Sequence, residues 1–128
     1  MEAFSTILRA LVLVIAVLAA SSEQQYGSDV KEAANFAVGF HNRMSNCTYA
    51  YKVIAILLNT SQIYPPARVK YTMTVQVGQT VCKNEPTVNL ADCSLQNAED
   101  SKTMTCHFVV MAVPHSDVPS YLLEDQCH

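Results

Sequence analysis

The chain has 128 residues, of which half are apolar, and a formal net charge of −3 at neutral pH. This length suits one globular domain and is too short for two. Only eight residues are Lys or Arg and they form no basic run, so the sequence has no electrostatic footprint for nucleic acid. We therefore expect one domain whose partners are not nucleic acids.

The first 21 residues have the pattern of a secretory signal peptide. One Arg precedes an unbroken run of 11 apolar residues at positions 10–20, and two serines follow it. The run is shorter than the roughly 20 apolar residues that span a bilayer. The alternative is a buried N-terminal helix. We predict cleavage between Ala19 and Ser22, a mature domain of residues 22–128, and a secreted product that is not attached to a membrane.

A helix is predicted next. Asp29 followed by Glu32 three positions later matches a capping box, in which Asp29 is the N-cap residue. Apolar residues then recur every three or four positions, at Val30, Ala33, Ala34, Ala37, Phe40 and Met44. This spacing predicts an amphipathic helix that ends near residues 42–46 and packs on a sheet.

Four later segments have the composition of strands, at residues 49–58, 69–77, 104–113 and 120–127. From Val69 to Val77 apolar and polar residues alternate, which predicts one face on a core and one in water. Gly78 indicates a bulge or a close approach of another chain segment. One helix followed by successive strands predicts an α+β meander, with the helix lying across an antiparallel sheet.

Two sequence features accompany export. Asn46 and Asn59 each begin an N-x-Ser/Thr triplet, so both are predicted glycosylation sites in a secreted chain. The chain also has five cysteines, Cys47, Cys82, Cys93, Cys106 and Cys127. In an oxidising compartment four of them should form two disulfides. The residues alone leave the pairing open. The most local choice joins Cys82 to Cys93 and Cys106 to Cys127, and leaves Cys47 either as a free thiol or in a bridge between two chains.

No motif for catalysis or for a cofactor is present. The chain has no nucleophile elbow, no phosphate-binding loop and no dinucleotide fingerprint. It has no C-x-x-C pair, and its four histidines lack the spacing of zinc ligands, so no metal site is predicted. A hydrolase that uses Cys47 with a histidine is the remaining enzyme hypothesis, but nothing marks a base beside this cysteine. We predict a protein that is not an enzyme and has no cofactor.

The turns between the strands are the remaining candidates for function. Pro65 and Pro66 lack the N–H groups that a sheet requires, so residues 62–68 are predicted to form a stiff turn. Residues 113–119 form a second turn, and alternate turns of a meander fall at the same edge of its sheet. The segment before Asp29, the first turn and the second turn would then form one binding rim. The alternative is that these are ordinary turns.

At this point the sequence resembles the secreted type-2 cystatins over nearly the whole mature chain. Residues 33–42 are similar to the family's helix, and residues 69–82 to its strand that ends in a Gly-x-Thr-x-Cys pattern. Residues 105–110 resemble a Cys-x-Phe-x-Val strand, and residues 112–114 the start of the family's second hairpin. The match lies in the order and spacing of these segments taken together.

The resemblance implies a long helix wrapped by a five-stranded antiparallel sheet. It implies bridges that join Cys82 to Cys93 and Cys106 to Cys127. It further implies tight, reversible inhibition of papain-like cysteine proteases such as cathepsins by a wedge of two hairpins and an N-terminal arm. By this resemblance the protease-binding residues are Gln62, Ile63, Tyr64, Pro65 and Pro66 in the first hairpin, and Pro114 and His115 in the second.

The chain departs from the family pattern at each part of the wedge. In the first hairpin the family has Q-x-V-x-G. Counted forward from the helix, this chain has Tyr64 in place of the valine and Pro66 in place of the glycine. Counted backward from Cys82 the register is two residues off, which predicts a hairpin two residues longer, with Ala67 and Arg68 extra. In the second hairpin His115 stands where the family has tryptophan. The one glycine of the arm, Gly27, lies next to the helix. These changes predict weak inhibition, and the alternative function is that of a secreted cystatin-fold binding protein that does not inhibit, or one that forms a disulfide-linked dimer through Cys47.

Overall fold

The computed structural model describes residues 27–97 and 102–128, so the predicted signal peptide lies outside the described residues. The elements, in chain order, are helix α1 (Ser28–Met44) and strands β1 (Tyr49–Tyr64), β2 (Arg68–Lys83), β3 (Thr103–Ala112) and β4 (Tyr121–Cys127). A single 3-10 turn, Leu90–Asp92, lies in the described part of the β2–β3 connection. In this part of the chain no helix is long and apolar enough to cross a membrane.

The four strands form one antiparallel sheet in the order β1-β2-β3-β4, and α1 packs on one face of it. The predicted α+β meander, one helix across an antiparallel sheet, is therefore confirmed. The resemblance implies five strands, and the residues that the structure describes contribute four of them. Because consecutive strands are antiparallel neighbours, the β1–β2 and β3–β4 turns lie at the same edge of the sheet.

Helix α1 begins one residue earlier than its predicted cap. Gly27, not Asp29, is the N-cap residue, and its carbonyl accepts a hydrogen bond from the N–H of Val30 at 3.0 Å. No side chain caps this end, so the predicted capping box is wrong. Asp29 lies instead in the first turn, where a carboxylate is favoured by the positive end of the helix dipole.

The buried face of α1 consists mainly of small residues. Val30, Ala33, Ala34, Ala37 and Val38 contact the sheet and have almost no exposed surface. Short side chains let the helix axis lie close to the strands, and Asp29 at the helix start contacts His115 in the β3–β4 turn. Met44, the last residue of the predicted apolar stripe, is wrongly assigned to it: its side chain is 72% exposed at the end of the helix.

The centre of the sheet supplies the other half of the core. The alternation predicted for β2 is observed, because Tyr71, Met73, Val75 and Val77 are buried against the helix. Their partners on β3 are on the same face, including the fully buried Phe108. Burying each of these large apolar side chains contributes about 1.5–3 kcal/mol to stability.

Strand β1 is longer than the sequence predicts. It continues past residue 58 to Tyr64, because its backbone stays paired with β2 up to the contact between Tyr64 and Arg68. The register shifts three times along β1, which bends the strand around the helix. Gly78 on β2 marks a close approach: a Cβ added there would lie 2.6 Å from the Ile54 side chain and 2.9 Å from that of Leu95.

The connection after β2 is held against the sheet. The structure contains a disulfide between Cys82 and Cys93, and the Val81 N–H donates to the Ser94 carbonyl at 2.9 Å. The Gln96 N–H donates in turn to the Gln79 carbonyl at 3.0 Å. The described part of this long polar connection is thus pinned at its middle, as a loop of this length in a small domain normally is.

Candidate functional site

The two hairpin turns and the start of the helix meet at one edge of the sheet. We call residues 62–68, residues 113–120 and the helix start at residues 27–29 the hairpin edge. Val69 pairs with Ala112, which places the end of β1–β2 beside the end of β3–β4. The Arg68 guanidinium lies 3.3 Å from the Tyr121 hydroxyl and donates to it across the sheet. The structure therefore places the two hairpins side by side, as the order of the strands predicts, whereas most of the segment before Asp29 lies outside the described residues.

The first hairpin is tighter than the predicted turn. Gln62, Ile63 and Tyr64 belong to β1 and pair with Lys70, Val69 and Arg68 of β2. Only residues 65–67 form the turn, and the peptide bond between the two prolines is cis. The prediction that the turn covers residues 62–68 is wrong at both ends, because the backbone ladder of the sheet continues through these polar and apolar positions.

The tip of this hairpin presents apolar surface to solvent. Ile63 is 74% exposed, and Tyr64, Pro65 and Pro66 are also exposed. Since side chains alternate along a strand, Ile63 lies on the helix side of the sheet and Tyr64 on the opposite side. An apolar tip of this kind gains free energy when a partner covers it.

The second hairpin is ordered by its own hydrogen bonds. The Ser116 hydroxyl donates to the Val113 carbonyl at 2.7 Å and accepts from the Val118 N–H at 3.2 Å. Pro114 is half-buried, whereas the side chain of His115 is 76% exposed. His115 has a φ of 58°, in the left-handed region that most side chains avoid.

His115 also connects this hairpin to the helix. Its Nε2 atom lies 3.2 Å from Oδ1 of Asp29, and the contact becomes an ion pair when the imidazole carries a proton. The contact does not have the geometry of a hydrogen bond. Asp29 Oδ1 is therefore buried without a hydrogen-bond partner among the described residues. The second hairpin of the hairpin edge thus contacts the helix start.

A small polar cavity of about 100 Å³ lies behind this contact. Asp29, Glu32, Tyr71, His115 and Ser116 are among its lining residues. Burial raises the pKa of the Tyr71 phenol above its ordinary value of 10.0, and the negative charges of Asp29 and Glu32 raise this pKa further. The hairpin edge is therefore apolar at its first tip and acidic beneath its second.

The predicted glycosylation sites lie outside the hairpin edge, Asn59 three residues before it. Asn46 is exposed just after the end of α1. Asn59 is half-buried in β1, where it pairs with Met73 of β2. Of the two asparagines, Asn46 is the more accessible to a modifying enzyme.

The cysteines occupy the positions that the resemblance implies. The structure joins Cys82 to Cys93 and Cys106 to Cys127. Within residues 27–97 and 102–128, Cys47 is the cysteine left without a disulfide, and it is half-buried between α1 and β1. Its carbonyl accepts a hydrogen bond from the Asn84 side chain at 3.2 Å.

One group of polar residues is not predicted by the sequence. His41 in the last part of α1 contacts both carboxylate oxygens of Asp125 on β4, at 2.9 and 3.0 Å, next to Cys127. The two residues are 84 positions apart, so no local sequence pattern predicts that they are in contact. Only the packing of the helix across the last strand brings them together.

Comparison with known proteins identifies the family. Residues 21–115 match the model of the cystatin domain. Among curated relatives, cystatin-2 of Crotalus adamanteus is 37% identical over 86 residues, which cover 66% of this chain and 61% of the relative. Cystatin-like 1 of Homo sapiens is 31% identical over 86 residues, 67% of this chain and 57% of the relative. The matched segment thus spans about three fifths of the length of these relatives.

The fold agrees with this match. The crystal structure of dimeric human cystatin F superposes with a TM-score of 0.73, at 27% identity and over 82% of both chains. The fold, the two disulfides and the sequence match define one class of protein, that of single cystatin-type domains with two disulfides. This chain belongs to the cystatin family.

Proposed function

We propose that the protein is a secreted inhibitor of papain-like cysteine proteases and that the hairpin edge enters the protease cleft. The observation that carries this proposal is the convergence of the two hairpins and the helix start, through the contacts between Arg68 and Tyr121 and between His115 and Asp29. This is the edge that the resemblance to type-2 cystatins assigns to binding. The apolar run of residues 10–20 supports export of the mature domain, residues 22–128, to the extracellular space.

In this proposal Gln62, Ile63, Tyr64, Pro65 and Pro66 form the leading tip. The tip is narrow, because three turn residues close it, and it is stiff, because two of the three are prolines. Stiffness lowers the entropy that docking costs. The exposed Ile63 supplies the apolar contact.

Pro114 and His115 form the supporting side of the edge. Proline at the first of these positions and the hydrogen bonds of Ser116 fix the loop, and the contact with Asp29 fixes its position relative to the helix. An imidazole has less contact area than the tryptophan of the family pattern, so this hairpin contributes less binding free energy. The protein is accordingly a weaker inhibitor than a cystatin with the complete pattern.

A titration of the mature protein against papain and a cathepsin tests this proposal. We expect reversible inhibition that is complete at micromolar protein, and an Ile63→Ser variant should weaken it. Val81→Ser is the matched control, because Val81 is a similarly exposed apolar residue at the opposite end of the sheet. Absence of inhibition at micromolar concentration, or equal effects of the two variants, would exclude the hairpin edge as a protease-binding surface.

A second candidate function is that of a cystatin-fold protein that has lost inhibition and binds another partner, or that forms a dimer linked through Cys47. Two observations favour it: Cys47 has no disulfide partner among the described residues, and the fold matches a cystatin structure described as dimeric. Non-reducing electrophoresis of the wild type and of Cys47→Ser distinguishes the candidates. A dimer band that Cys47→Ser removes supports the second candidate, and a monomer band alone excludes the dimer.

Asn46 and Asn59 are the proposed sites of N-glycosylation. Treatment with a glycosidase that removes N-linked glycans should lower the apparent mass of protein from a secreting eukaryotic cell. Because Asn46 is the more exposed of the two, Asn46→Gln should account for more of this shift than Asn59→Gln. No shift in mass would exclude both sites.

A further inference from the structure

Four potential metal ligands meet where the end of α1 crosses the last strand. The Nδ1 atom of His41 lies 2.9 Å from Oδ2 of Asp125 and 3.8 Å from the sulfur of Cys127. The Cys127 sulfur lies 3.6 Å from Oδ1 of the same carboxylate. Cys106 supplies a second sulfur through its bond to Cys127. We call these four residues the crossing cluster.

We propose that the crossing cluster binds a zinc ion when the disulfide between Cys106 and Cys127 is reduced. Two thiolates, one imidazole and one carboxylate are the donors that zinc prefers, and four of them complete a structural site. With the disulfide intact the sulfurs carry no negative charge and bind zinc poorly. The site is therefore closed in the oxidised protein and opens only on reduction.

The distances in the cluster suit this ion. Zinc bonds of about 2.0 Å to nitrogen and oxygen and about 2.3 Å to sulfur, at tetrahedral angles, place nitrogen or oxygen about 3.3–3.5 Å from its neighbouring donors and the two sulfurs about 3.8 Å apart. The sulfurs of Cys106 and Cys127 must therefore move apart after reduction. With Oδ1 as the donor atom of Asp125, the observed separations are 3.0 Å from Oδ1 to Nδ1 of His41, 3.6 Å from Oδ1 to the Cys127 sulfur, and 3.8 Å from that sulfur to Nδ1. Changes of about 0.3 Å or less in these separations would bring the three donor atoms to the distances of a tetrahedral zinc site.

The sheet keeps the two cysteines adjacent without the disulfide. Thr105 and His128, the pair next to them, exchange two backbone hydrogen bonds of 2.9 and 3.1 Å. Cys106 and Cys127 are therefore a directly opposed, non-hydrogen-bonded pair, in which side chains stand closest, and their Cα atoms are 4.0 Å apart. The strand pairing, rather than the covalent bond, keeps the two cysteines adjacent after reduction.

The other two ligands are also preoriented. The His41 ring packs edge-on against Phe108, with 6.5 Å between the ring centroids, and its Nδ1 faces the carboxylate. The side chains of His41 and Asp125 are 19% and 25% exposed, so the cluster is shielded but open enough for an ion to enter. This geometry requires little rearrangement on binding.

The reduction step needs a reductant, and the test uses a water-soluble trialkylphosphine. The phosphine attacks a sulfur, the S–S bond breaks, and water supplies the oxygen that converts the phosphine to its oxide. The two sulfurs receive two electrons and two protons and become thiols. Zinc then displaces both thiol protons, so binding should release protons and strengthen as the pH rises.

The experiment uses mature protein in which the other three cysteines are replaced, as Cys47→Ser, Cys82→Ser and Cys93→Ser. After reduction we expect one zinc ion per chain by calorimetry, and the visible absorption of tetrahedral cobalt when Co²⁺ is added instead. His41→Gln and Asp125→Asn in this background should each weaken binding by at least about tenfold. The same protein left oxidised should bind far more weakly.

His107→Gln is the matched control. His107 lies 3.6 Å from Glu124 on the other face of the same two strands, so this pair also joins a histidine to a carboxylate but has no cysteines beside it. No zinc binding by the reduced protein, or an equal effect of His107→Gln and His41→Gln, would overturn the proposal. If reduction unfolds the protein, zinc must restore its circular dichroism with His41 present and fail to do so in His41→Gln; any other result overturns the proposal as well.

Discussion

Asn42 near the end of α1 exchanges two hydrogen bonds with the backbone of Tyr51 in β1. Its Nδ2 donates to the Tyr51 carbonyl at 2.8 Å, and its Oδ1 accepts from the Tyr51 N–H at 3.0 Å. Both residues are buried, so the side chain supplies partners that water cannot. The pair fixes where the chain leaves the helix and enters the sheet, and so it fixes how the helix lies across the strands.

We therefore expect Asn42→Ala to lower the free energy of unfolding by about 2–4 kcal/mol. The substitution removes two hydrogen bonds and leaves the N–H and the carbonyl of Tyr51 buried without them. Urea unfolding followed by circular dichroism measures the change. Asn35→Ala is the matched control, because Asn35 is exposed on the same helix and should change stability by less than about 0.5 kcal/mol. Equal losses in the two variants would contradict the role assigned to the pair.

Gly39 and Gly78 should respond to alanine in opposite directions. A Cβ added at Gly39 meets nothing within 4 Å, and the position is inside α1, so Gly39→Ala should stabilise the protein by about 0.5–1 kcal/mol. At Gly78 the new Cβ would press on Ile54 and Leu95. Both side chains are partly exposed and can turn aside, so we expect Gly78→Ala to cost about 1 kcal/mol, the lower end of the range for overpacking.

Thermal unfolding of the two glycine variants at the same pH measures this difference. An increase in Tm for Gly39→Ala together with a decrease for Gly78→Ala is the expected result. A gain in Gly78→Ala equal to that in Gly39→Ala would show that the close approach to Ile54 and Leu95 carries no strain.

The sequence predicts the parts of the fold that have a strong period. The alternation in β2 and the three-to-four spacing of apolar residues in α1 both agree with the structure, because each pattern reports directly on which face is buried. Residues 59–64 have no such alternation, so the end of β1 is not predicted. Its pairing with β2 comes from backbone hydrogen bonds, which the pattern of apolar and polar side chains does not predict.

The candidate site is predicted only in outline. The order of the strands places both turns at one edge, and the structure bears this out. The sequence cannot predict that His115 contacts Asp29 or that His41 contacts Asp125, since each contact joins residues that are far apart in the chain. Such contacts depend on the angle at which the helix crosses the sheet, which no local pattern encodes.

Alkaline pH should destabilise the protein through Tyr71. Its pKa is raised in the folded state, mainly by burial and further by Asp29 and Glu32, so in the unfolded chain the phenol loses its proton at a lower pH, near 10.0. Below pH 10 the phenol is protonated in both states, so the difference in pKa does not change the free energy of unfolding. As the pH rises above about 10 the unfolded state is favoured, by up to about 1.4 kcal/mol per pH unit.

Tyr71→Phe should reduce this loss. The variant removes the titrating group but keeps the ring in the core, so its stability at neutral pH should stay close to that of the wild type. Denaturant unfolding at several pH values between neutral pH and about pH 11 measures the slope. Burial also raises the pKa of Tyr51. In Tyr71→Phe, stability should therefore still fall with pH above about 10, but less steeply than in the wild type. A slope identical to that of the wild type would contradict the assignment to Tyr71.

Pro66→Gly should strengthen inhibition of papain. By the resemblance to type-2 cystatins, position 66 is where the first hairpin has glycine, and glycine lets a backbone approach another surface more closely than proline does. Ile63 and Tyr64 are held in β1, so the strands below the turn should not change. We expect the inhibition constant to fall by about tenfold, equivalent to about 1.4 kcal/mol, at a stability cost of about 0.5–1 kcal/mol from the added freedom of the unfolded chain. Ala67→Gly is the control, because it also adds backbone freedom, at the next turn position. It should leave the inhibition constant nearly unchanged. Equal effects of the two variants would mean that backbone flexibility, and not the close approach at position 66, governs binding.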